Sequence, residues 1–196
     1  MSRPRSTRNR PLLAGIAAAV LGATALAELP FVNWRRVADP LDTPLVFRLD
    51  AKGDGRFLAP RSGRRKHRGV DLAAPLREPV RAIRSGRVAQ VGQHRGLGRF
   101  VEIRHRWGLR SLYAHLADTA VRDGQRVRQG QVIGAVGKTG NARHAWITPH
   151  LHLEVARGRD PVNPESLGLR IAQPPGQPAG AGAAADEEDE SAGGGE

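Results

Sequence analysis

Between residues 86 and 140 glycine recurs at 86, 92, 96, 98, 108, 124, 130, 134, 137 and 140. A glycine inside a helix or strand costs roughly 0.5–1 kcal/mol relative to alanine, so such a series reads as frequent turns between short elements. The windows between the turns alternate or nearly alternate apolar with polar residues, at 79 to 83, 86 to 91, 99 to 105, 110 to 115, 131 to 136 and 150 to 155. Period-two patterning is the signature of half-buried strands, and no amphipathic helix of useful length accompanies it. The expectation is an all-β domain, an antiparallel β-sheet core. Residues 30 to 46 read as an irregular lead-in and 61 to 68 as a basic, exposed loop.

The 196 residues suit one core with tails. Without cysteine there is no disulfide scaffold, thiolate zinc finger, iron-sulfur cluster or cysteine nucleophile, and any metal must be held by His, Asp or Glu. The net charge of +12 favours polyanionic surroundings, but 4% aromatic residues supply few stacking platforms, and nucleic acid is not expected as a partner.

Residues 1 to 27 join four arginines (Arg3, Arg5, Arg8, Arg10) to an uncharged stretch, Leu12 to Ala27, that ends in Ala-Leu-Ala before Glu28. These are the three parts of a signal peptide. Sixteen residues span about 24 Å as a helix, short of the roughly 30 Å hydrocarbon core, so cleavage before Glu28 is favoured over a signal anchor, the one route to membrane association through residues 12 to 27. The lead-in then covers 28 to 56 and the domain 57 to 172. The segment from 173 to 196, rich in Pro, Gly and Ala and carrying six acids, reads as a disordered tail. Without those acids and the leader arginines, residues 28 to 172 carry +14.

Three motifs bear chemistry. In His150-Leu151-His152-Leu153-Glu154-Val155 strand alternation puts both imidazoles on one face and Leu151, Leu153 and Val155 on the other. In Tyr113-Ala114-His115 it puts Tyr113 beside His115, and in His67-Arg68-Gly69-Val70-Asp71 it gathers His67, Gly69 and Asp71, with Gly69 leaving room for something bound. Two imidazoles and a carboxylate with an open fourth position suit a hydrolytic zinc site, and His67, Asp71 and one of His150 or His152 would make one. Taken singly, the His-x-His pair also fits a hydrogen-bonded surface pair and the other motif an ordinary turn. His94, His105 and His144 have no partner of fixed spacing and read as surface or structural. Gly137-Lys138-Thr139 is a turn, since a phosphate loop would need glycine at Val132.

Taken together, HRGVDLAAP, PVRAIRSGRVAQVG, GLGRFVEIRH, SLYAHL, VRDGQRVRQGQVIGAVGKTG and PHLHLEV resemble, in this order from about Phe57 to Val155, the lysostaphin/LytM-type zinc metalloendopeptidases. The resemblance implies a duplicated hybrid β motif with an open groove, and one zinc ion per chain held by His67, Asp71 and His152. It leaves His115 and His150 for catalysis, in an exported enzyme of the periplasm or cell envelope that cleaves the peptide part of peptidoglycan. Tyr113 is expected to orient His115 or the substrate. The nine residues between Gly140 and His150 depart from the family's shorter Ser/Gly link, so Trp146 within them is expected to wall the groove. Leu153 stands where phenylalanine is commoner, and Leu76-Arg77-Glu78 where a glycine-containing turn is. The other reading is a non-catalytic envelope protein that binds peptidoglycan or activates another hydrolase.

Overall fold

The computed structural model describes residues 37 to 176 except Lys52 and Ser62. The leader and most of the acidic tail lie outside the described residues. The elements in chain order are β1 (Leu49–Asp50), β2 (Gly53–Asp54), β3 (Gly69–Ala73), β4 (Pro79–Arg81), β5 (Gly86–His94), β6 (Gly98–Arg104), β7 (Leu109–Thr119), β8 (Arg126–Val127), β9 (Val132–Val136), β10 (His150–Arg157) and β11 (Asp160–Pro161). Short 3-10 turns are the only helical segments among the described residues, as the dense glycines lead one to expect. β1 and β2 form a hairpin, and the other nine strands share one sheet in the order β11-β10-β7-β6-β5-β8, with β3 on β10 and β9 joining β4 to β7. Every named pairing is antiparallel.

Alternation does the folding work. Leu151, Leu153 and Val155 of β10 point inward against Val70 and Leu72 of β3 and against Val101, Ile103, Leu116 and Ile133, all buried. Each such side chain contributes roughly 1.5–3 kcal/mol by leaving water. Part of the lead-in belongs to this core too. Leu41, Leu45 and Phe47 pack in the same cluster as Leu169 and Ile171, Phe47 bridges to Leu72 and Val46 to Ala172. The buried Glu78 carboxylate fastens the segment by accepting from Asp42 N, Thr43 N and Thr43 Oγ1 at 2.8–3.0 Å. Periodicity cannot see this segment, because it packs as irregular chain.

Tyr113 is a correction to the sequence reading. It is fully buried, on the core side of β7, and its hydroxyl accepts from Ile83 N at 2.8 Å and lies 3.0 Å from Ser111 Oγ. It does not line the groove. The reason is local: His115 takes a left-handed backbone, φ 63°, and the ladders of β7 slip at this point. One residue out of the extended region inverts the alternation, so Tyr113 and His115 face opposite ways.

Candidate metal and catalytic site

The site forms where β3 and β10 pair in register, His152 opposite Asp71 and Glu154 opposite Gly69. Gly69 does not leave a vacancy for a ligand, as the sequence suggested. A Cβ there would lie 2.3 Å from the Leu153 carbonyl oxygen and 2.9 Å from Glu154 Cγ, so glycine is what lets β10 and its Glu154 close over the strand. His67 is set just before β3 by backbone hydrogen bonds, its N to Ala59 O and its O from Leu58 N, both 2.9 Å.

Three donor atoms converge. His67 Nε2, Asp71 Oδ1 and His152 Nδ1 are separated by 3.1, 3.2 and 2.8 Å. The far side of each ring is committed: His67 Nδ1 donates to Arg56 O at 2.9 Å and His152 Nε2 to Glu154 Oε1 at 3.0 Å. A backbone carbonyl only accepts, so His67 carries its proton on Nδ1 and turns a lone pair inward. Two imidazole nitrogens and a carboxylate oxygen in mutual contact repel one another unless a cation lies among them. Zinc bonds of about 2.0–2.1 Å in tetrahedral geometry imply ligand atoms about 3.3 Å apart, close to the observed triangle. The donor set therefore fits a divalent metal, and it is the one such group among the described residues.

The electrostatics agree. Burial works against the Asp71 carboxylate, but the hydrogen bonds and charges of His152 and His67 outweigh it and hold its pKa well below the usual range. Arg48 Nη2 and Arg61 Nη2 add contacts to Oδ2 at 2.9 and 3.3 Å. For His152 burial again opposes charge, while Asp71 and Glu154 together raise the ring. Positive charge is favoured at this nitrogen, from a proton or from a metal.

The other two histidines of the cluster behave differently. His115 Nδ1 donates to Thr139 O at 3.0 Å and His150 Nδ1 to Thr148 O at 2.6 Å, so each keeps Nε2 as a lone pair. Their rings meet edge to face at 4.9 Å, His115 stands 5.8 Å from the His152 ring, and His150 Nε2 is 3.9 Å from Asp71 Oδ1. Burial, helped by the charges of His150 and His152, pushes His115 down to about 3, and burial lowers His150. Both rings are neutral at pH 7. The left-handed turn at His115 is held by its N to Leu97 O at 2.9 Å. Gly98 and Gly140 make this possible: a Cβ on either would fall within 2.2 Å of the other loop, so only glycines let Thr139 come close enough to hold the ring.

An open groove of about 680 Å³ runs over these residues. Arg61, Arg65, Lys66 and Arg68 line one side, while Leu97, Asn141, Ala142, Ile147 and His94 lie elsewhere along its wall. His94, read from sequence as surface or structural, is thus a groove residue. Its Nδ1 accepts from Gly96 N at 3.1 Å. Trp146 is 61% exposed and stacks on His144 at 4.9 Å, and its neighbour Ile147, not Trp146 itself, lines the groove. Sequence reasoning missed Arg48, Arg61 and the role of Glu154. Glu154 was findable, two residues past His152 on the same strand face. No local pattern marks Arg48, which arrives from the lead-in.

The sequence profile of peptidase family M23 matches residues 65 to 164. The chain is 45% identical over 105 residues to the DD-carboxypeptidase/endopeptidase Mpg of Neisseria meningitidis serogroup B, covering 54% of this chain and 23% of that protein. It is 37% identical over 135 residues to the peptidoglycan DD-endopeptidase ShyC of Vibrio cholerae, covering 68% and 30%. Thus less than a third of the length of either relative is matched. Among solved structures, the catalytic domain of the prophage-encoded M23 protein EnpA from Enterococcus faecalis superposes with a TM-score of 0.53 at 29% identity, over 67% of this chain and 98% of that one. With its inward-facing His-Asp-His triad on an open antiparallel sheet, this chain belongs to peptidase family M23.

Proposed function

We propose that this protein is an exported, zinc-dependent endopeptidase that hydrolyses peptide bonds in the stem peptides or cross-links of peptidoglycan. One observation carries the reading: four buried imidazoles are each anchored on the outside by an acceptor, and their remaining nitrogens are left for a metal or a reacting group. Among the described residues the Nε2 atoms of His115 and His150 have no hydrogen bond, while the inner nitrogens of His67 and His152 are in contact with each other and with Asp71 Oδ1, as ligands of one shared cation would be. The names of the relatives, DD-carboxypeptidase/endopeptidase and peptidoglycan DD-endopeptidase, support peptidoglycan as substrate and favour a D,D bond as the one cleaved.

His67, Asp71 and His152 would hold one zinc ion. When bound, zinc supplies Lewis acidity, which lowers the pKa of a water toward about 7 and polarises a carbonyl. The protein's own part is proton management. One of His115 and His150, both neutral with Nε2 open, accepts the single proton lost by an attacking water, and the other, once protonated, hydrogen-bonds the developing oxyanion. The base's Nε2 then returns that proton to the leaving amine. Thr139 O and Thr148 O fix both rings in the tautomer that this requires. Glu154 and Arg56 O do the same for the two ligand rings, an arrangement that raises ligand basicity. Trp146 contributes from the rim, through the position of Ile147. Localisation in the periplasm or cell envelope follows from the substrate and the leader.

The test is digestion of purified sacculi with mass spectrometry of the released fragments, beside elemental analysis of the same protein. Peptide fragments and about one zinc per chain are expected. A preparation that holds zinc and releases no peptide would overturn the reading in favour of a binding protein.

A further inference from the structure

Four arginines stand in one row across four neighbouring strands. Arg126 of β8 is opposite Arg87 of β5, Arg87 is opposite Arg104 of β6, and Arg104 is opposite Arg110 of β7. Residues directly opposite in an antiparallel ladder project from the same face, and like charges so placed destabilise a sheet. Their chain neighbours Val127, Val88, Ile103, Leu109 and Ser111 are buried on the other face, so all four arginines lie on the open side. At about 4.8 Å per strand the row spans about 14 Å. Arg110 has an acid, Glu102 at 3.2 Å, and Arg87 Nη1 donates to Gly124 O. The Arg104 side chain has no hydrogen bond or ion pair among the described residues. Among the described residues neither Arg87 nor Arg104 has an ion pair, so the like charge they share across the ladder is uncompensated.

The position of the row supplies a reason. Arg110 is opposite Ala156, Leu112 opposite Glu154 and Ala114 opposite His152, so the row shares its face with the metal ligands. Ala114 lies four positions along β7 from Arg110, about 13 Å along the strand. The turn between β6 and β7 adds Trp107, 75% exposed, in a left-handed backbone with φ 57° and with the Arg106 guanidinium over its ring at 5.8 Å.

We infer that this row is a second binding site, which holds the carboxylates of a neighbouring peptide of a polymeric substrate while one peptide occupies the groove. The inference rests on the proposed peptidoglycan substrate. A polymer that repeats its carboxylates fits a row on the same face as the site, whereas a flat membrane against this face would cover the groove.

The experiment compares the full chain with the double variant R87Q/R104Q in two assays: co-sedimentation with purified sacculi at low salt, and hydrolysis of a short soluble cross-linked peptide. The variant relieves like-charge repulsion, so its melting temperature should hold or rise. Sacculus binding should fall by on the order of tenfold, up to about fivefold for each exposed ion pair lost, with short-peptide hydrolysis unchanged. Sacculi whose carboxyl groups have been converted to amides should bind the wild type as weakly as untreated sacculi bind the variant. Equal binding by both proteins, or undiminished binding to amidated sacculi, overturns the inference. So does wild-type binding to anionic phospholipid vesicles that exceeds binding to sacculi. If neither protein hydrolyses any peptide but binding still depends on the row and on free carboxyls, the peptidase reading fails and this site stands.

Discussion

Two groups of buried histidine sit on opposite sides of β7, and they use the imidazole in opposite ways. On the core side, His105 Nδ1 donates to Ser85 O at 3.0 Å, and its Nε2 lies 2.8 Å from Ser111 Oγ, which is 3.0 Å from the Tyr113 hydroxyl. One orientation of the two hydroxyl protons satisfies every atom: Tyr113 donates to Ser111, Ser111 to His105, and Ile83 N–H to Tyr113. The network is closed. On the open side, His67, His115, His150 and His152 each commit one nitrogen outward, and the inner nitrogens meet no protein group that completes them without an added cation or proton. Burial alone does not mark a functional histidine, because His105 and His115 are buried to the same degree. The unspent nitrogen marks it.

The largest effect should come from removing a ligand. His67→Ala, Asp71→Ala or His152→Ala leaves two donors of three, and zinc content and hydrolysis should both fall to background, by elemental analysis and sacculus digestion. Zinc retained by any of them would mean that the triad is not the metal site. Next comes His115→Ala or His150→Ala, which should keep zinc and lower the rate by about 10²–10⁴-fold, since only proton transfer or oxyanion stabilisation is lost. If zinc were lost along with activity, the division between ligands and catalytic rings would collapse.

Glu154→Gln should weaken zinc binding by about 10–100-fold, measured by competition with a chelator, because the His152 ring loses its carboxylate anchor. An unchanged affinity would make Glu154 a mere lid over Gly69. His105→Gln should leave zinc affinity untouched and cost about 1–3 kcal/mol at pH 7 in denaturant unfolding, as the closed network opens. Burial, against the opposing bond to Ser85, holds His105 near 4 rather than 6.5. Its folded pKa is the depressed one, so between pH 6.5 and 4 the unfolded chain binds the extra proton and stability falls as pH falls. That window is worth about 3 kcal/mol, as large as the gap itself, so the gap between wild type and variant should close or reverse on acidification. A gap independent of pH would place the proton elsewhere. The smallest effect belongs to Trp146→Ala. As the ring stacks on His144 and only its neighbour lines the groove, we expect a change of about tenfold or less in fragment preference and none in zinc content. A change in zinc content would put the loop into the metal site.

Composition and spacing were enough for much of this. The glycine series and the period-two windows determine an antiparallel sheet without long helices, and the register of His150-Leu151-His152 determines two imidazoles on one face, because strand alternation is a local property of the backbone. The absence of cysteine determines the kind of ligand. Tertiary structure decided what depends on contacts between distant segments. One left-handed residue, His115, held by Leu97 O and Thr139 O, turns its own ring to the groove and leaves Tyr113 on the core face, against the alternation that the sequence suggests. The lead-in joins the core through irregular packing, which has no period, and brings Arg48 to Asp71 across 23 positions. Gly69 makes room for Glu154 rather than for a ligand, which depends on how β10 sits over β3. The row from Arg126 to Arg110 exists only through the pairing of four strands. In the sequence these are four of many arginines, since cross-strand register is fixed by turns and core packing and not by any residue in the row.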